Sequence, residues 1–317
     1  MKIMVTGGLG FIGHNLVKHL HDLDHQVSII DNATNYGICD SKEIDYLISE
    51  RLNIIPRNVI IYRADINNYY DFCSIFNNNY YDVVIHLASF PRQKTVSLNP
   101  TLAARTMIEG TVNVLRAAKN NVGKFLFVSS SMVYGDFSDS VDETSLCNPK
   151  GQYGVLKLSG ENLVKDWSRE SNIPYTIVRP SAVYGPLDIN DRLVPKFLQA
   201  AHNNKTLYVN GEDESIDFTY VEDLVSGICL AVNNENANNE TFNITRGSAR
   251  RIYDAAKLAV KLAGGGKIKV NNRDNRYPSR GTLDISKVKN LLGYVPEYDI
   301  EYGFERTYQY MIRTHKD

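Results

Sequence analysis

The stretch from residue 2 to residue 13 constrains this chain more than any other. Lys2-Ile3-Met4-Val5-Thr6 reads as a short buried strand, and Gly7-Gly8-Leu9-Gly10-Phe11-Ile12-Gly13 follows at once, opening into a helical run from His14 to Asp22. Gly7, Gly10 and Gly13 make a GxxGxxG pattern. Glycines at this spacing permit a tight turn, the close approach of a pyrophosphate to the backbone and the close packing of helix on strand. The helix N-terminus supplies N–H groups and positive dipole to an anion. Phe11 and Ile12 belong to the same turn. The next strand, Gln26-Val27-Ser28-Ile29-Ile30, ends in Asp31-Asn32, about twenty residues beyond the glycines. A carboxylate there accepts hydrogen bonds from an adenosine ribose diol and repels a 2′-phosphate, so the expected cofactor is NAD and not NADP. The strand-turn-helix-strand context weighs against the plainer reading of a glycine-rich turn beside a surface aspartate.

Strands and helices continue to alternate. Val59-Ile60-Ile61-Tyr62 leads into Ala64-Asp65-Ile66, where Asp65 is a candidate acceptor for an adenine amino group, with Ile66 beside it. Tyr81 to Ala88 is the next strand, a long helix from about Asn99 to Asn120 follows, and Lys124 to Val128 is strand again. A helix to about Ser171 and the strand Pro174 to Val178, the sixth of the core, complete the rhythm. This pattern predicts an α/β fold: a doubly wound parallel Rossmann sheet with helices on both faces and ligands outside the C-terminal strand ends. Gly7 to Gly13, Asp31, Asp65, His86 with Leu87, Ala88 and Ser89, Ser129 to Ser131, and Arg179-Pro180 all fall at such ends.

Tyr153-Gly154-Val155-Leu156-Lys157 is Tyr-x-x-x-Lys. On a helix this spacing stacks phenol and ammonium on one face, and the cation favours the ionised phenol. Tyr153 is therefore a candidate proton acceptor near neutral pH, where an unperturbed tyrosine near 10 would be useless. With 20 tyrosines in the chain the motif alone is weak. Its meaning comes from the strand ends around it.

Thirty-five basic residues against 36 acidic ones leave a formal charge of −1, which gives no electrostatic footprint for nucleic acid or a membrane surface. No apolar run approaches a membrane span, and the first residues read as a strand, so the expected location is cytoplasmic. Cys39, Cys73, Cys147 and Cys229 are scattered, without CxxC pairs or histidine clusters, so no metal site is expected.

Taken together, these motifs resemble the extended short-chain dehydrogenase/reductase family, in its NAD-dependent nucleotide-sugar epimerase/dehydratase branch, over nearly the whole length. Gly7, Gly10 and Gly13 match its glycine motif, His86-Leu87-Ala88-Ser89 its HLAA strand end, and Ser130 to Gly135 its SSxxVYG. The resemblance implies Ser130 as the catalytic hydroxyl beside Tyr153 and Lys157. Lys157 is also implied to grip the nicotinamide ribose, and Pro180 and Val183 to lie beside the nicotinamide. Many dehydratases of the branch carry Asp-Glu after the catalytic hydroxyl. Here Ser131 and Met132 stand in those sugar-facing places and cannot serve as acid and base, which disfavours 4,6-dehydration. Ala182 stands where UDP-sugar epimerases commonly have Asn, and Ile216 where they have Arg. Arg276, Arg280 and Lys196 are candidates to supply charge to the nucleotide instead, with Arg92 and Lys94 of the Ser89–Lys94 loop as further substrate contacts.

The expected division is a Rossmann domain of residues 1–183 plus about 217–241, and a smaller C-terminal α/β lobe of about 184–216 and 242–317 for the nucleotide sugar. The resemblance implies a homodimer, paired through the helices at roughly 99–120 and 151–171. The expected reaction is 4-epimerisation through a 4-keto sugar. A 4-dehydrogenase or 4-keto-sugar reductase, for example on a GDP- or CDP-linked sugar, shares the same residues and is the alternative. A non-catalytic NAD-binding regulator is disfavoured by the intact Ser130, Tyr153 and Lys157.

Overall fold

Seven parallel strands form the central sheet of the computed structural model, which describes residues 1–314. From edge to edge they are Glu240–Asn243, Tyr175–Arg179, Val122–Val128, Tyr81–His86, Lys2–Thr6, Gln26–Ile30 and Ile60–Tyr62. Buried on both faces, the inner strands read as nearly continuous apolar runs, as parallel strands under helices do. Ile3, Val5, Ile29 and Ile85 meet Leu16, Val17 and Leu20 of the helix Phe11–Asp22 on one side, together with Leu224 and Ile228 of Val221–Asn233. Met4, Val84 and Phe125 meet Phe72, Phe76 and Val114 on the other. Each such side chain contributes about 1.5–3 kcal/mol by leaving water.

Six strands were expected, and the seventh is Glu240–Asn243, hydrogen-bonded to Tyr175–Arg179. Its four residues follow an asparagine-rich loop in which the Asn234 side chain accepts from Asn236 N–H and caps a short turn. A tetrapeptide next to such turn chemistry carries too little alternation to announce a strand. The helix expected from about 99 to 120 is helical over Pro100–Ala118, but Arg105–Glu109 widens into a π segment. There the Thr111 hydroxyl donates to the Met107 carbonyl at 2.8 Å. Gly110 packs so close to Ile66 that a Cβ would stand 2.7 Å from its Cδ1. Such widenings are side-chain and packing events that helical periodicity does not encode.

Leu193–His202, Ile252–Ala263 and Ile300–Thr314 pack around Phe197, Leu198, Ala256 and Phe304 as a second apolar cluster, with Thr206–Asn210 paired to Lys267–Asn271 along one side. Gly264 ends its helix at φ +73°, its N–H bonded to Val260 O at 2.9 Å, so the Gly264–Gly266 triplet begins as a helix cap. Among the described residues no helix is long and apolar enough to cross a membrane.

Candidate active site

Lys2–Thr6 sits between Tyr81–His86 and Gln26–Ile30, so strand order reverses at the first strand. The loops leaving the first and fourth strands open side by side and bound a cleft of about 790 Å³ that continues to the C-terminal lobe. Gly7 is required by this closeness: at φ +75°, a Cβ on it would stand 2.7 Å from the Ala88 backbone nitrogen. A Cβ at Gly13 would run into the Gly7 carbonyl. No side chain caps the helix that starts at Phe11, so its first N–H groups remain available to an anion. Asp31 accepts from Leu9 N–H at 2.9 Å and Ala33 N–H at 2.7 Å. Burial pushes its carboxyl up and these two donors pull it back. Each carboxylate oxygen keeps acceptor capacity for a diol. This donor and acceptor set fits an adenosine dinucleotide.

Gly10, Phe11, Ile12 and Asn32 line the same wall, as do Ile66, Leu87, Ala88 and Ser89 across from it. Asp65 does not. Its carboxylate turns into its own loop and accepts from Asn67 N–H at 2.8 Å, while its neighbours Ala64 and Ile66 reach the cleft. Asp65 as an adenine acceptor thus has a local competitor, an Asx turn. His86 is buried, and burial, with Lys157 nearby, lowers its pKa to about 3. Thr111 spends its proton on Met107, so His86 Nε2 donates to Thr111 Oγ1 at 3.1 Å and Nδ1 accepts from Thr6 Oγ1 at 2.7 Å. A neutral imidazole thus ties two strand ends to a helix.

Ser130, Tyr153 and Lys157 come together beside Pro180 and Val183 in the wall of the cleft. Ser130 Oγ accepts from Met132 N–H at 3.2 Å and starts the turn Ser131–Val133. Ser131 and Met132 are buried cleft residues, and Ser131 Oγ has no hydrogen-bond partner in the protein. Lys157 gives a hydrogen bond to Val128 O at 2.8 Å, and burial lowers its pKa to about 8, with Glu161 opposing. Burial pushes the Tyr153 phenol up, against the field of Arg192 and a hydrogen bond with Ser130. From the sequence, Lys157 was expected to hold the phenol down. Arg192, which precedes Leu193–His202, adds a second cation whose field opposes the burial, and sequence spacing had no means of bringing it to Tyr153.

One helical turn beyond Lys157, Glu161 is fully buried and takes both nitrogens of the Arg179 fork, Nε at 2.9 Å and Nη2 at 2.7 Å. Ser129 Oγ donates to the same carboxylate at 2.6 Å, and Arg179 Nη1 donates to Tyr134 Oη at 2.9 Å. This ion pair braces the residues next to Ser130 and Pro180 from behind.

Among the basic residues expected at the substrate, Arg280 lines the cleft with its Nε unpartnered, and burial lowers its pKa to about 10, with Arg192 adding to the effect. Arg92 and Lys94 both reach Asp191 Oδ2 at 2.7 Å, and Lys196 lies 3.7 Å from Asp191 Oδ1. Arg276 is placed elsewhere: its side chain is 86% exposed, folded onto Asp274, and not part of the cleft. Arg273, three residues earlier, takes the cleft position and pairs with Glu214 at 2.6 Å. In an irregular loop neither residue has a periodicity that tells which one faces inward.

Known proteins share this fold. The solved UDP-glucuronic acid 4-epimerase of Bacillus cereus, in complex with UDP-glucuronic acid and NAD, superposes with a TM-score of 0.90 at 30% identity, over 99% of this chain and 100% of that one. The uncharacterized UDP-glucose epimerase YtcB of Bacillus subtilis is 29% identical over 98% of both chains. A dTDP-glucose 4,6-dehydratase of Escherichia coli is 28% identical over 100% of this chain and 94% of its own. The model of the family matches residues 3–245, a span that takes in the glycine turn, the Ser130, Tyr153 and Lys157 cluster and the sheet through its last strand. The chain belongs to the NAD dependent epimerase/dehydratase family.

Proposed function

We propose that the chain is an NAD-dependent nucleotide-sugar 4-epimerase. The observation that carries the reading is the meeting of Ser130, Tyr153 and Lys157 in one cleft with no carboxylate at the two positions after Ser130. Gly7, Gly10, Gly13 and Asp31 would hold the adenosine diphosphate half of NAD, and Lys157 the nicotinamide ribose. NAD, when bound, supplies the hydride acceptor and returns the hydride. The ionised form of Tyr153, favoured against burial by the field of Arg192 and by the cationic nicotinamide when bound, takes the proton of the sugar 4-hydroxyl, and Ser130 donates a hydrogen bond to the same oxygen. The 4-keto sugar then presents its other face within the cleft, and Tyr153 gives the proton back. Ser131 and Met132 offer no acid or base for removing water, which separates the reading from the dehydratase relative. Arg280 and Arg273 suit the nucleotide diphosphate.

A specific observation favours a second reading, a 4-dehydrogenase or 4-keto-sugar reductase. Arg92 and Lys94 meet Asp191 in the wall of the cleft, and on this second reading the tied segment would keep a keto sugar from turning. Product analysis decides. An epimerase converts a UDP-, GDP-, CDP- or dTDP-sugar into its isomer with no net change in nicotinamide absorbance and no added oxidant. Stoichiometric NADH with a 4-keto sugar and no isomer would replace the first reading with the second.

Asp31 also sets the cofactor preference, because a 2′-phosphate would meet a half-buried carboxylate. Asp31→Ala is expected to narrow the preference for NAD over NADP by about tenfold or more, a loss of one like-charge repulsion. Titration of both cofactors checks this, and equal affinities in the parent protein would refute the assignment.

A further inference from the structure

We propose that Gln93 is a positioning residue for Tyr153, capping from a distant segment the helix that carries it. The proposal rests on the reading of Tyr153 as the proton acceptor. The helix Gln152–Ser171 begins at Gly151, which has no side chain to accept from the first free N–H groups. Tyr153 N–H donates instead to Gln93 Oε1 at 2.9 Å, across 60 residues of chain. In most helices a Ser, Thr or Asp at the cap accepts from this second N–H. Here the acceptor is the first residue of the short helix Gln93–Leu98, which follows the loop after Tyr81–His86. Gly151 adopts φ +87°, and a Cβ on it would stand 2.7 Å from Gln93 Oε1, so the glutamine amide fills the space that the glycine leaves.

The amide is itself held. Gln93 Nε2 donates to Ser97 Oγ at 3.0 Å. The preceding Arg92 is fastened to the other side of the cleft, donating to the Asp191 carboxylate at 2.7 Å and carbonyl at 3.0 Å, and to Ile38 O at 3.3 Å. Phe90, buried, joins Val96 and Met107 in an apolar cluster against which the Tyr153 ring packs. The loop and the short helix after it thus support the ring by apolar contact and the backbone by a hydrogen bond. The phenol oxygen stands at the far end of its side chain, so a small tilt of the first helical turn moves it off the hydroxyl it must meet. A displacement of 1 Å costs up to about 10²-fold in rate. Gln93 touches no reacting atom in this scheme and acts only through Tyr153.

The test compares turnover, KM, NAD affinity and pH–rate profiles of Gln93→Leu, Gln93→Glu and Tyr153→Phe. Gln93→Leu keeps the bulk and removes the acceptor, so kcat should fall at least ~10-fold while NAD affinity stays within about twofold. Gln93→Glu keeps an acceptor, so its plateau kcat should return to within about threefold of the parent. Its added charge should move the acidic limb of the profile up by about half a pH unit, which a merely structural role would not do. A Gln93→Leu kcat within about twofold of the parent would overturn the proposal, and so would a Gln93→Glu profile with an unmoved limb or no recovery. Tyr153→Phe keeps the two ideas apart. If it retains its rate, both fall; if it is inactive while Gln93→Leu is unimpaired, only the positioning role falls.

Discussion

Tyr153→Phe is expected to lose at least ~10²-fold in turnover, the scale of removing a general base, while folding and NAD affinity stay at the parent level. The substitution deletes one oxygen and leaves the ring against its apolar cluster with Phe90 and Leu156. What disappears is the atom whose protonation burial, Arg192 and Ser130 together control. Ser130→Ala should be damaging but milder, since it removes a hydrogen bond and leaves the proton acceptor in place. Quenched assays read by chromatography give the rates, and calorimetric titration gives NAD affinity. A fully active Tyr153→Phe protein would remove Tyr153 from the chemistry.

The second large effect is on stability. Glu161→Ala is expected to cost about 3–5 kcal/mol, because the Arg179 guanidinium would stay buried without its carboxylate. Both side chains are nearly inaccessible, 4% for Arg179 and 0% for Glu161, so water cannot easily replace the lost partner. Urea unfolding followed by the fluorescence of Trp167, the only tryptophan, would measure it, since its ring packs 5.5 Å from that of Phe125 in the sheet. A change under ~1 kcal/mol would show that Arg179 finds another partner. Replacing the pair together, Glu161→Leu with Arg179→Met, should recover part of the loss, as apolar substitutes for buried ion pairs often do.

What was legible in the sequence follows local rules. Gly10 and Gly13 are dictated by backbone clearance within one turn, Gly7 by its positive φ and the approach of Ala88, Asp31 by its place at a strand end, and Tyr153 with Lys157 by helical spacing. The cleft wall formed by these residues could therefore be read before any fold was known. Arg192, Gln93 and the Glu161–Arg179 pair act through contacts between segments distant in the chain, and no period or motif records which side chains meet there. Arg276 and Arg273 show the same limit on a smaller scale, since both lie in a loop where orientation is set by Asp274, Glu214 and the surrounding lobe. Asp65 shows a different limit: its place at a strand end suggested a ligand contact, while its carboxylate also accepts from Asn67 N–H, a local hydrogen bond that strand position does not encode.

The edge place of Glu240–Asn243 also governs the order in which the protein can be completed as it leaves the ribosome. The sheet begun by Lys2–Thr6 receives its last strand only after Leu193–His202 and Thr206–Asn210, which pack in the other lobe, have been made. A nascent chain that has emerged only to Arg179 holds Tyr175–Arg179 as an open edge, with a row of N–H and C=O groups free to pair with a neighbouring chain. Val221–Asn233, whose Leu224 and Ile228 close one face of the sheet, arrives equally late. No single cut between residues 180 and 240 yields a piece with the whole sheet and a piece with the whole lobe. Neither the sheet nor the second cluster therefore corresponds to one contiguous cassette of sequence.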